Sequence, residues 1–217
     1  MSDRSLVTTA AEDSGGGRVS PLLPAQYRDT ANGGPEYSGL IRAVRDLMDS
    51  VVLVHAPSEV LLEATRRTEA LSAMLEPYEV GSPRASAGRR GDLPGRGNPF
   101  LLPFVEVERT PDRVRGRVTF RPVHHGGGGA AHGGAQPLLF DEIMGILALT
   151  DDRPACRTAY MNVNYHRLTP LGKELVADAT IDRQEGRKLW ASSRLWDDES
   201  LLADAEALFV QVRPSQE

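Results

Sequence analysis

The spacing of hydrophobic positions along this chain changes near residue 100. Before that point, apolar residues between Tyr37 and Val52 recur every three or four positions, which predicts an amphipathic helix. A second helical pattern starts near Ser58, which we expect to be its N-cap, and ends before Pro77. Because only a short connection separates the two patterns, we predict a helical hairpin over residues 36–80. We expect this hairpin to pack on the following domain or on a second subunit.

After residue 100 the spacing becomes two. Val105 and Val107 alternate with glutamates, and a further alternating run after a turn predicts a β-hairpin. An apolar helix near Pro137 follows, and then four more segments with the spacing of strands, which gives the element order β-β-α-β-β-β-β. A curved antiparallel sheet around one buried helix satisfies both patterns, so we predict an α+β fold. In the third strand we expect one face to hold Ala159, Met161, Val163 and Tyr165.

Two stretches lack any periodic pattern. Residues 1–35 contain scattered Gly, Pro, Ser and Asp, and we predict a disordered tail there. Residues 81–97 are rich in Gly, Pro, Ser and Arg and are predicted to form a linker whose arginines are solvated. The main domain is therefore expected to occupy residues 98–214.

Composition and charge exclude several classes of protein. The net charge of −5 and the pI near 5.6 give no general basic surface, which argues against nucleic-acid binding. The single cysteine, Cys156, cannot form an intrachain disulfide, which fits a reducing compartment. We find no signal-peptide pattern and no apolar run long enough to span a membrane. We therefore expect a cytoplasmic protein that does not associate with membranes.

The apolar helix carries the candidate chemistry. From Pro137 to Leu149 its only ionisable residues are Asp141 and Glu142. A helix that is apolar on nearly every face is normally buried, and a buried carboxylate must be paired, neutralised or used in a reaction. Asp141 is the candidate base, with a structural carboxylate as the alternative. Glu142 points about 100° away around the helix and is expected to be structural or to pair with an arginine.

A glycine turn stands just before this helix. Gly133 and Gly134 lead into the helix N-terminus, where unpaired backbone N–H groups and the helix dipole favour developing negative charge. This segment is therefore a candidate oxyanion site. His124, His125 and His132 suggest a metal site as an alternative, but the lone cysteine and the flexible connector argue against it. We expect no metal and no cofactor.

Five sequence blocks resemble a known family in both content and order. They are GRGNP (95–99), HGGAQPLLFDEIMG, NVNYHRLTPLG, EGRKLWASSRL and ADAEALFVQVRP. Together with an Asp nine positions after His132, they resemble the hotdog fold, and more narrowly the PaaI-like acyl-CoA thioesterases and their eukaryotic relatives. The resemblance extends from about Gly95 to Pro214.

The resemblance implies hydrolysis of acyl-CoA thioesters to a free acid and coenzyme A. By that resemblance, Asp141 matches the catalytic carboxylate, acting as general base or as nucleophile, and Gly133 and Gly134 match the turn whose N–H groups polarise the thioester oxygen. His132 matches a histidine that shapes this turn, and Thr158 falls where some relatives carry a water-positioning hydroxyl. The family's site lies across a dimer interface, which implies a homodimer or a dimer of dimers.

Several features leave alternatives open. The connector before His132 is unusually rich in glycine, and Gln136 and Pro137 replace residues that are commonly small or aliphatic, so the acyl pocket can differ in shape. The aromatic residues Trp190, Trp196 and Tyr165 fit an acyl tunnel, or simply the core or an interface. The strand arginines Arg113, Arg115 and Arg117 fit either phosphate contacts or a wet face.

Two other functions remain open at the level of sequence. The first is a non-catalytic acyl-CoA sensor or scaffold whose N-terminal hairpin binds a partner protein. The second is a hotdog dehydratase, which is less well supported because those enzymes pair a catalytic histidine with an acid in a different motif.

Overall fold

Six strands form one antiparallel sheet in the computed structural model, which describes residues 23–149 and 153–212. The strands are β1 (Val105–Thr110), β2 (Arg113–Thr119), β3 (Cys156–Tyr165), β4 (Glu174–Glu185), β5 (Lys188–Asp197) and β6 (Ser200–Gln211). Their order across the sheet is β1-β2-β4-β5-β6-β3, so β1 and β3 are the edge strands. The predicted element order is confirmed.

The helix between β2 and β3, α3 (Ala135–Ala148), packs across the sheet and contacts strands β2 to β6. Pro137 lies in its first turn, where backbone N–H groups have no partner within the helix, so the proline does not break it. The predicted α+β hotdog arrangement is confirmed. Fully buried side chains on α3 include Leu139, Phe140, Ile143, Met144 and Leu147.

One stripe of α3 is not covered by residues 23–149 and 153–212. Gly134 and Asp141 are exposed on it, and Leu138 and Gly145 are only partly buried. The spacing of four, three and four residues places all four positions along one side of the helix. The expectation that the helix is covered on nearly every face is therefore correct except for the side that carries Asp141.

Two bulges change the predicted alternation of the edge strands. In β1 the register shifts between Glu106 and Glu108, and Val107 is exposed instead of alternating inward. In β3 it shifts between Thr158 and Tyr160, so that Ala159 is the extra residue. Ala159 is exposed, whereas Met161 and Val163 pack against the core. The prediction that Ala159 shares their face is wrong, because the bulge moves it out of the alternation.

Two helices precede the sheet, α1 (Tyr37–Leu53) and α2 (Ser58–Leu75). Helix α1 packs on the turns at residues 94–97 and 122–124, where Arg121 binds Asp49. The two helices are confirmed. Helix α2 leaves apolar side chains such as Leu62 and Met74 exposed in the single chain, so packing of the hairpin on a second subunit stays a prediction. Ser58 is the first helical residue and does not cap the helix. No helix among the described residues is long and apolar enough to cross a membrane.

Residues 23–35 and 81–97 pack against each other, which differs from the predicted tail and solvated linker. Leu23 is buried, and the buried Arg90 binds Asp92 through two 2.7 Å hydrogen bonds. The same guanidinium donates to the carbonyl oxygens of Asn32 and Gly34. A solvated linker was predicted because the sequence does not reveal which backbone carbonyls an arginine meets. The predicted tail over residues 1–22 lies outside the described residues.

Candidate active site

Asp141 and Thr158 meet on the open side of α3. The Thr158 hydroxyl donates to Oδ1 of Asp141 at 2.8 Å, which joins the edge strand β3 to the helix. The bulge at Ala159 makes this contact possible, because it turns Thr158 toward α3 instead of away from it. The structure thus brings together a carboxylate and a hydroxyl that the family resemblance named separately as site residues.

Asp141 is exposed in the single chain, which corrects the expectation that it is a costly buried carboxylate of an apolar helix. The helix is indeed buried, but Asp141 lies on its uncovered stripe and Thr158 is exposed beside it. The carboxylate is therefore accessible to a ligand or to a second molecule.

Glu142, the next residue, faces a different environment. Its carboxylate forms a two-point ion pair with Arg96, with Nε to Oε1 at 2.8 Å and Nη2 to Oε2 at 2.9 Å. Burial raises the pKa of the Glu142 carboxyl above its ordinary value, and the Arg96 guanidinium opposes that rise. The expectation that Glu142 pairs with an arginine is confirmed.

The backbone around Arg96 is shaped to deliver this guanidinium. Gly95, Arg96 and Gly97 have φ angles of 56°, 52° and 69°, so three consecutive residues occupy the left-handed region. Glycine adopts that conformation readily, whereas arginine does so at some cost. The guanidinium also lies 4.9 Å from the centroid of the Tyr27 ring, which is a cation–π distance. The GRG block thus connects the N-terminal segment to the helix that bears Asp141.

The glycine turn before α3 has an unexpected hydrogen-bond pattern. The Gly134 N–H donates to Nδ1 of His132 at 2.9 Å, so the imidazole, when neutral, carries its proton on Nε2. The Tyr165 hydroxyl donates to the Gly133 carbonyl oxygen at 2.7 Å. The Gly133 N–H, by contrast, donates to no group within the described part of the chain. Of the two predicted oxyanion donors, only that of Gly133 is therefore unoccupied in this structure.

Glycine at these two positions is not required by backbone conformation. Neither residue has a positive φ, and Gly134 has the helical values φ −74° and ψ −13°. A Cβ on Gly133 would approach only Tyr165, at 3.9 Å, whereas one on Gly134 would lie 3.1 Å from the His132 ring. What glycine provides at Gly133 is open space next to a free N–H.

The turn and Asp141 are far apart within one chain. Asp141 lies seven positions after Gly134, which corresponds to roughly 10 Å along the axis of an α-helix. A carbonyl bond is only about 1.2 Å long, so one thioester cannot contact both groups of the same chain. Within an isolated chain, the candidate base and the candidate oxyanion donor therefore cannot act on the same carbonyl.

Other candidate residues lie elsewhere. Arg113 and Arg117 pair with the acidic residues Asp178 and Glu174 of β4, as expected for the wet face of a strand. Trp190 stacks under the Arg183 guanidinium, 3.9 Å from its ring centroid, and not against the core.

The structure does not assemble the histidines into a metal site. Nδ1 of His124 accepts the Arg121 N–H, and Nδ1 of His132 accepts that of Gly134, so in each ring one nitrogen is engaged by backbone. Among residues 23–149 and 153–212, no cluster of three or more His, Cys, Asp or Glu side chains is arranged to hold a metal ion.

The sequence did not identify three residues that support the site. The composition of residues 81–97 predicts a solvated loop for Arg96, the strand position of Tyr165 fits a tunnel, the core or an interface, and Gln136 stands out only as a departure from the family. A polar amide in an otherwise apolar helix is a signal that a buried partner exists. Gln136 is in fact 3% exposed.

Part of this chain is similar in sequence to known thioesterases. Residues 128–203 match the family model "Thioesterase superfamily". The chain is 33% identical over 97 residues to acyl-coenzyme A thioesterase THEM4 of Bos taurus, covering 44% of this chain and 39% of the relative. It is 31% identical over 125 residues to the protein of the same name from Mus musculus, covering 56% and 52%. The chain thus spans about half or less of the length of these relatives.

Comparison with solved structures extends the likeness beyond the sheet. A crystal structure described as a thioesterase superfamily protein superposes with a TM-score of 0.69 at 23% identity. The match covers 80% of this chain and 94% of the other, so more than the hotdog domain is shared.

Proposed function

We propose that this chain hydrolyses acyl-CoA thioesters to a free acid and coenzyme A, because residues 128–203 match the thioesterase superfamily model and the chain has the hotdog fold. The observation that carries the proposal is the hydrogen bond from Thr158 to Asp141 on the open stripe of α3. A carboxylate held through one oxygen keeps its second oxygen available for a substrate. The name acyl-coenzyme A thioesterase carried by the sequence relatives supports the choice of thioester.

Asp141 acts in this proposal on the thioester carbonyl carbon. As a general base it takes a proton from the water that attacks the carbonyl, and the C–S bond then breaks to release the coenzyme A thiolate. As a nucleophile it attacks the carbonyl itself, which expels the coenzyme A thiolate and forms an anhydride that water then opens. Thr158 fixes the orientation of the carboxylate by donating to Oδ1. Its hydroxyl oxygen retains lone pairs that can accept from the attacking water. Neither route requires a metal or a cofactor.

The Gly133 N–H is the proposed oxyanion donor. It lies at the N-terminal end of α3, whose dipole favours negative charge, and it is free of other partners in the described chain. An N–H aimed at the developing oxyanion contributes roughly 3 to 4 kcal/mol to transition-state stabilisation. Gly134 joins it only if the His132 imidazole releases the Gly134 N–H.

The proposed site requires a second copy of the chain. The roughly 10 Å along the helix between the turn and Asp141 prevents one chain from supplying both groups to a single carbonyl. Strand β3 is an exposed edge beside the open stripe of α3, and an unprotected edge is a ready site for pairing. We therefore propose a homodimer in which Asp141 of one copy faces the Gly133 turn of the other.

The proposal is tested by thiol release from a panel of aryl- and fatty-acyl-CoAs, with wild type and Asp141→Asn compared. We expect turnover of at least one acyl class by wild type and a loss of about 100-fold or more in the variant. Circular dichroism and sedimentation show whether the variant keeps its fold and assembly. An unchanged rate in a folded variant removes Asp141 from the mechanism.

A non-catalytic acyl-CoA sensor is the second candidate, and helix α2 is the observation in its favour. Apolar side chains on α2, among them Leu62 and Met74, are exposed and available to a partner protein. Binding of acyl-CoA without thiol release by wild-type protein across the whole panel supports the sensor and rejects the enzyme.

A further inference from the structure

Two buried polar side chains lie next to the glycine turn and have no role in the mechanism described above. Gln136, in the first turn of α3, is 3% exposed, and Thr169, in the loop between β3 and β4, is 1% exposed. A buried polar group that lacks a hydrogen-bond partner is costly, so such pairs are kept where their contacts are specific. The contacts of this pair point directly at the turn.

The environment of the Gln136 amide fixes its orientation. One end of the amide lies 2.9 Å from the Thr169 hydroxyl, and the other faces two carbonyl oxygens, those of His132 and Gly133. An amide oxygen at the second position would place lone pairs against lone pairs. The nitrogen therefore donates to His132 at 2.8 Å and to Gly133 at 3.2 Å, while the amide oxygen accepts from Thr169.

This contact helps to fix the direction of the Gly133 N–H. The His132 carbonyl and the Gly133 N–H belong to one trans peptide, in which the two groups point in opposite directions. The Ala135 N–H donates to the same carbonyl oxygen at 2.9 Å, and the Gln136 amide adds a second bond from the buried side. Because both donors hold the carbonyl inward, the Gly133 N–H is directed outward, to the open side of the turn. A hydrogen bond to the carbonyl also polarises the peptide and strengthens its N–H as a donor.

Thr169 anchors this arrangement from a second direction. Its hydroxyl fixes the amide of Gln136, and its own carbonyl oxygen accepts the Ala131 N–H at 2.9 Å. One loop residue thus holds the chain on entry to the turn and also holds the side chain that orients the turn. The contacts form a closed network in which each buried polar group has a partner.

We propose that Gln136, held by Thr169, is a positioning residue that aims and polarises the Gly133 N–H toward the carbonyl oxygen of the substrate. The inference rests on the proposed function, in which that N–H is the oxyanion donor. It explains why an amide occupies a position in an otherwise apolar helix. Gln136 itself does not touch the substrate.

The test compares two unreactive ligands that differ only at the carbonyl. One is the carba(dethia) ketone analogue of a good acyl-CoA, which keeps the carbonyl oxygen, and the other is the matching S-alkyl-CoA, which lacks it. The ratio of their dissociation constants measures the contribution of the oxyanion donor without requiring turnover. In Gln136→Met, which keeps the side-chain length but loses the amide, we expect the preference for the ketone to fall by about ten-fold. Affinity for the S-alkyl-CoA should stay within about two-fold of wild type, since no bond to oxygen is involved.

Two further variants separate positioning from general destabilisation. Thr169→Val removes the hydroxyl that holds the amide, so it should lower the same ratio in the same direction and keeps the test available if Gln136→Met fails to fold. Ser193→Ala removes another buried hydrogen bond, from Ser193 to the Asp178 carbonyl at 2.7 Å on neighbouring strands, and should leave the ratio unchanged.

The outcomes divide clearly. An equal loss of affinity for both ligands in Gln136→Met, or an equal fall of the ratio in Ser193→Ala, overturns the proposal, because the residue then acts only on stability. Thiol release by wild type is measured separately. If the ratio falls as expected while wild type hydrolyses no thioester, the positioning role stands and the proposed function fails.

Discussion

Arg96 and Glu142 form a two-point ion pair that connects the segment before the sheet to the helix carrying Asp141. The exposed fractions of the two side chains are 18% and 12%, so both charges are largely withdrawn from water. Removing one partner of such a pair leaves the other uncompensated, which costs far more than the pair itself contributes. Because Asp141 is adjacent to Glu142, the cost falls on the part of α3 that bears the proposed base.

Replacing Arg96 with methionine should destabilise the fold in a pH-dependent manner. At pH 7 we expect the free energy of unfolding to fall by about 3 kcal/mol, since ionised Glu142 loses its partner. Burial raises the pKa of Glu142 and Arg96 opposes that rise, so the variant has the higher pKa in the folded state. The difference in the free energy of unfolding between wild type and the variant is therefore at its full value above the pKa of Glu142 in the folded variant. It disappears as pH falls through the pKa of Glu142 in folded wild type. Urea denaturation at a series of pH values measures it.

The double variant Arg96→Met/Glu142→Gln is the control for this prediction. It removes both charges, so most of the lost stability at pH 7 should return and the pH dependence of the difference should flatten. A double variant as unstable as Arg96→Met alone would show that the loss arises from packing around Arg96 rather than from the unpaired carboxylate.

Thr158→Val tests the hydroxyl that orients Asp141. Valine has the same shape but cannot donate to the carboxylate, and hydrogen bonds to charged groups contribute about 1.5 to 3 kcal/mol. We expect kcat to fall by about ten-fold or more with KM nearly unchanged. Thr158→Ser keeps the hydroxyl and should retain most of the rate. A rate that is kept by Thr158→Val and lost by Thr158→Ser would mean that the methyl group, not the hydrogen bond to Oδ1, matters at this position.

The two aspartates that bind Arg121 test whether α1 is fixed to the sheet domain. Asp49 is 16% exposed and also accepts the Val123 N–H, whereas Asp46 is 61% exposed. Asp49→Asn should lower the free energy of unfolding by about 1 to 3 kcal/mol. Asp46→Asn should change it by less than about 1 kcal/mol, as is usual for surface pairs. Denaturation of the two variants in parallel compares them, and equal effects would contradict the docking of α1 through Asp49.

The periodic elements of this fold were predictable, but the contacts that complete the site were not. Alternating residues defined the strands, and the apolar run defined α3, because burial imposes a period on each element. A bulge has no such period, and the one at Ala159 is what turns Thr158 toward Asp141. The prediction of Thr158 came from the family resemblance, and its geometric reason could be seen only in the structure.

Contacts between polar residues that are far apart in the sequence could not be predicted either. The ion pair of Arg96 joins positions 46 residues apart, and no local pattern in the sequence encodes that distance. The prediction that Asp141 is buried failed for the same reason, because this residue lies on the stripe of α3 that the described residues leave open. The cytoplasmic location and the dimer stay predictions.

The dimeric site can be tested by mixing two inactive variants. Asp141→Asn lacks the base but keeps the turn, and Gly133→Val blocks the turn but keeps the base. Valine at position 133 has room in the chain, because a Cβ there lies 3.9 Å from Tyr165. If the site combines the turn of one copy with Asp141 of the other, each mixed dimer regains one intact site. Random assembly by refolding equal amounts of the two variants together should then restore about a quarter of wild-type turnover.

A site built within one chain would restore no turnover, because each chain lacks one of the two groups. Refolded mixtures of each variant with itself are the controls, and both should remain inactive.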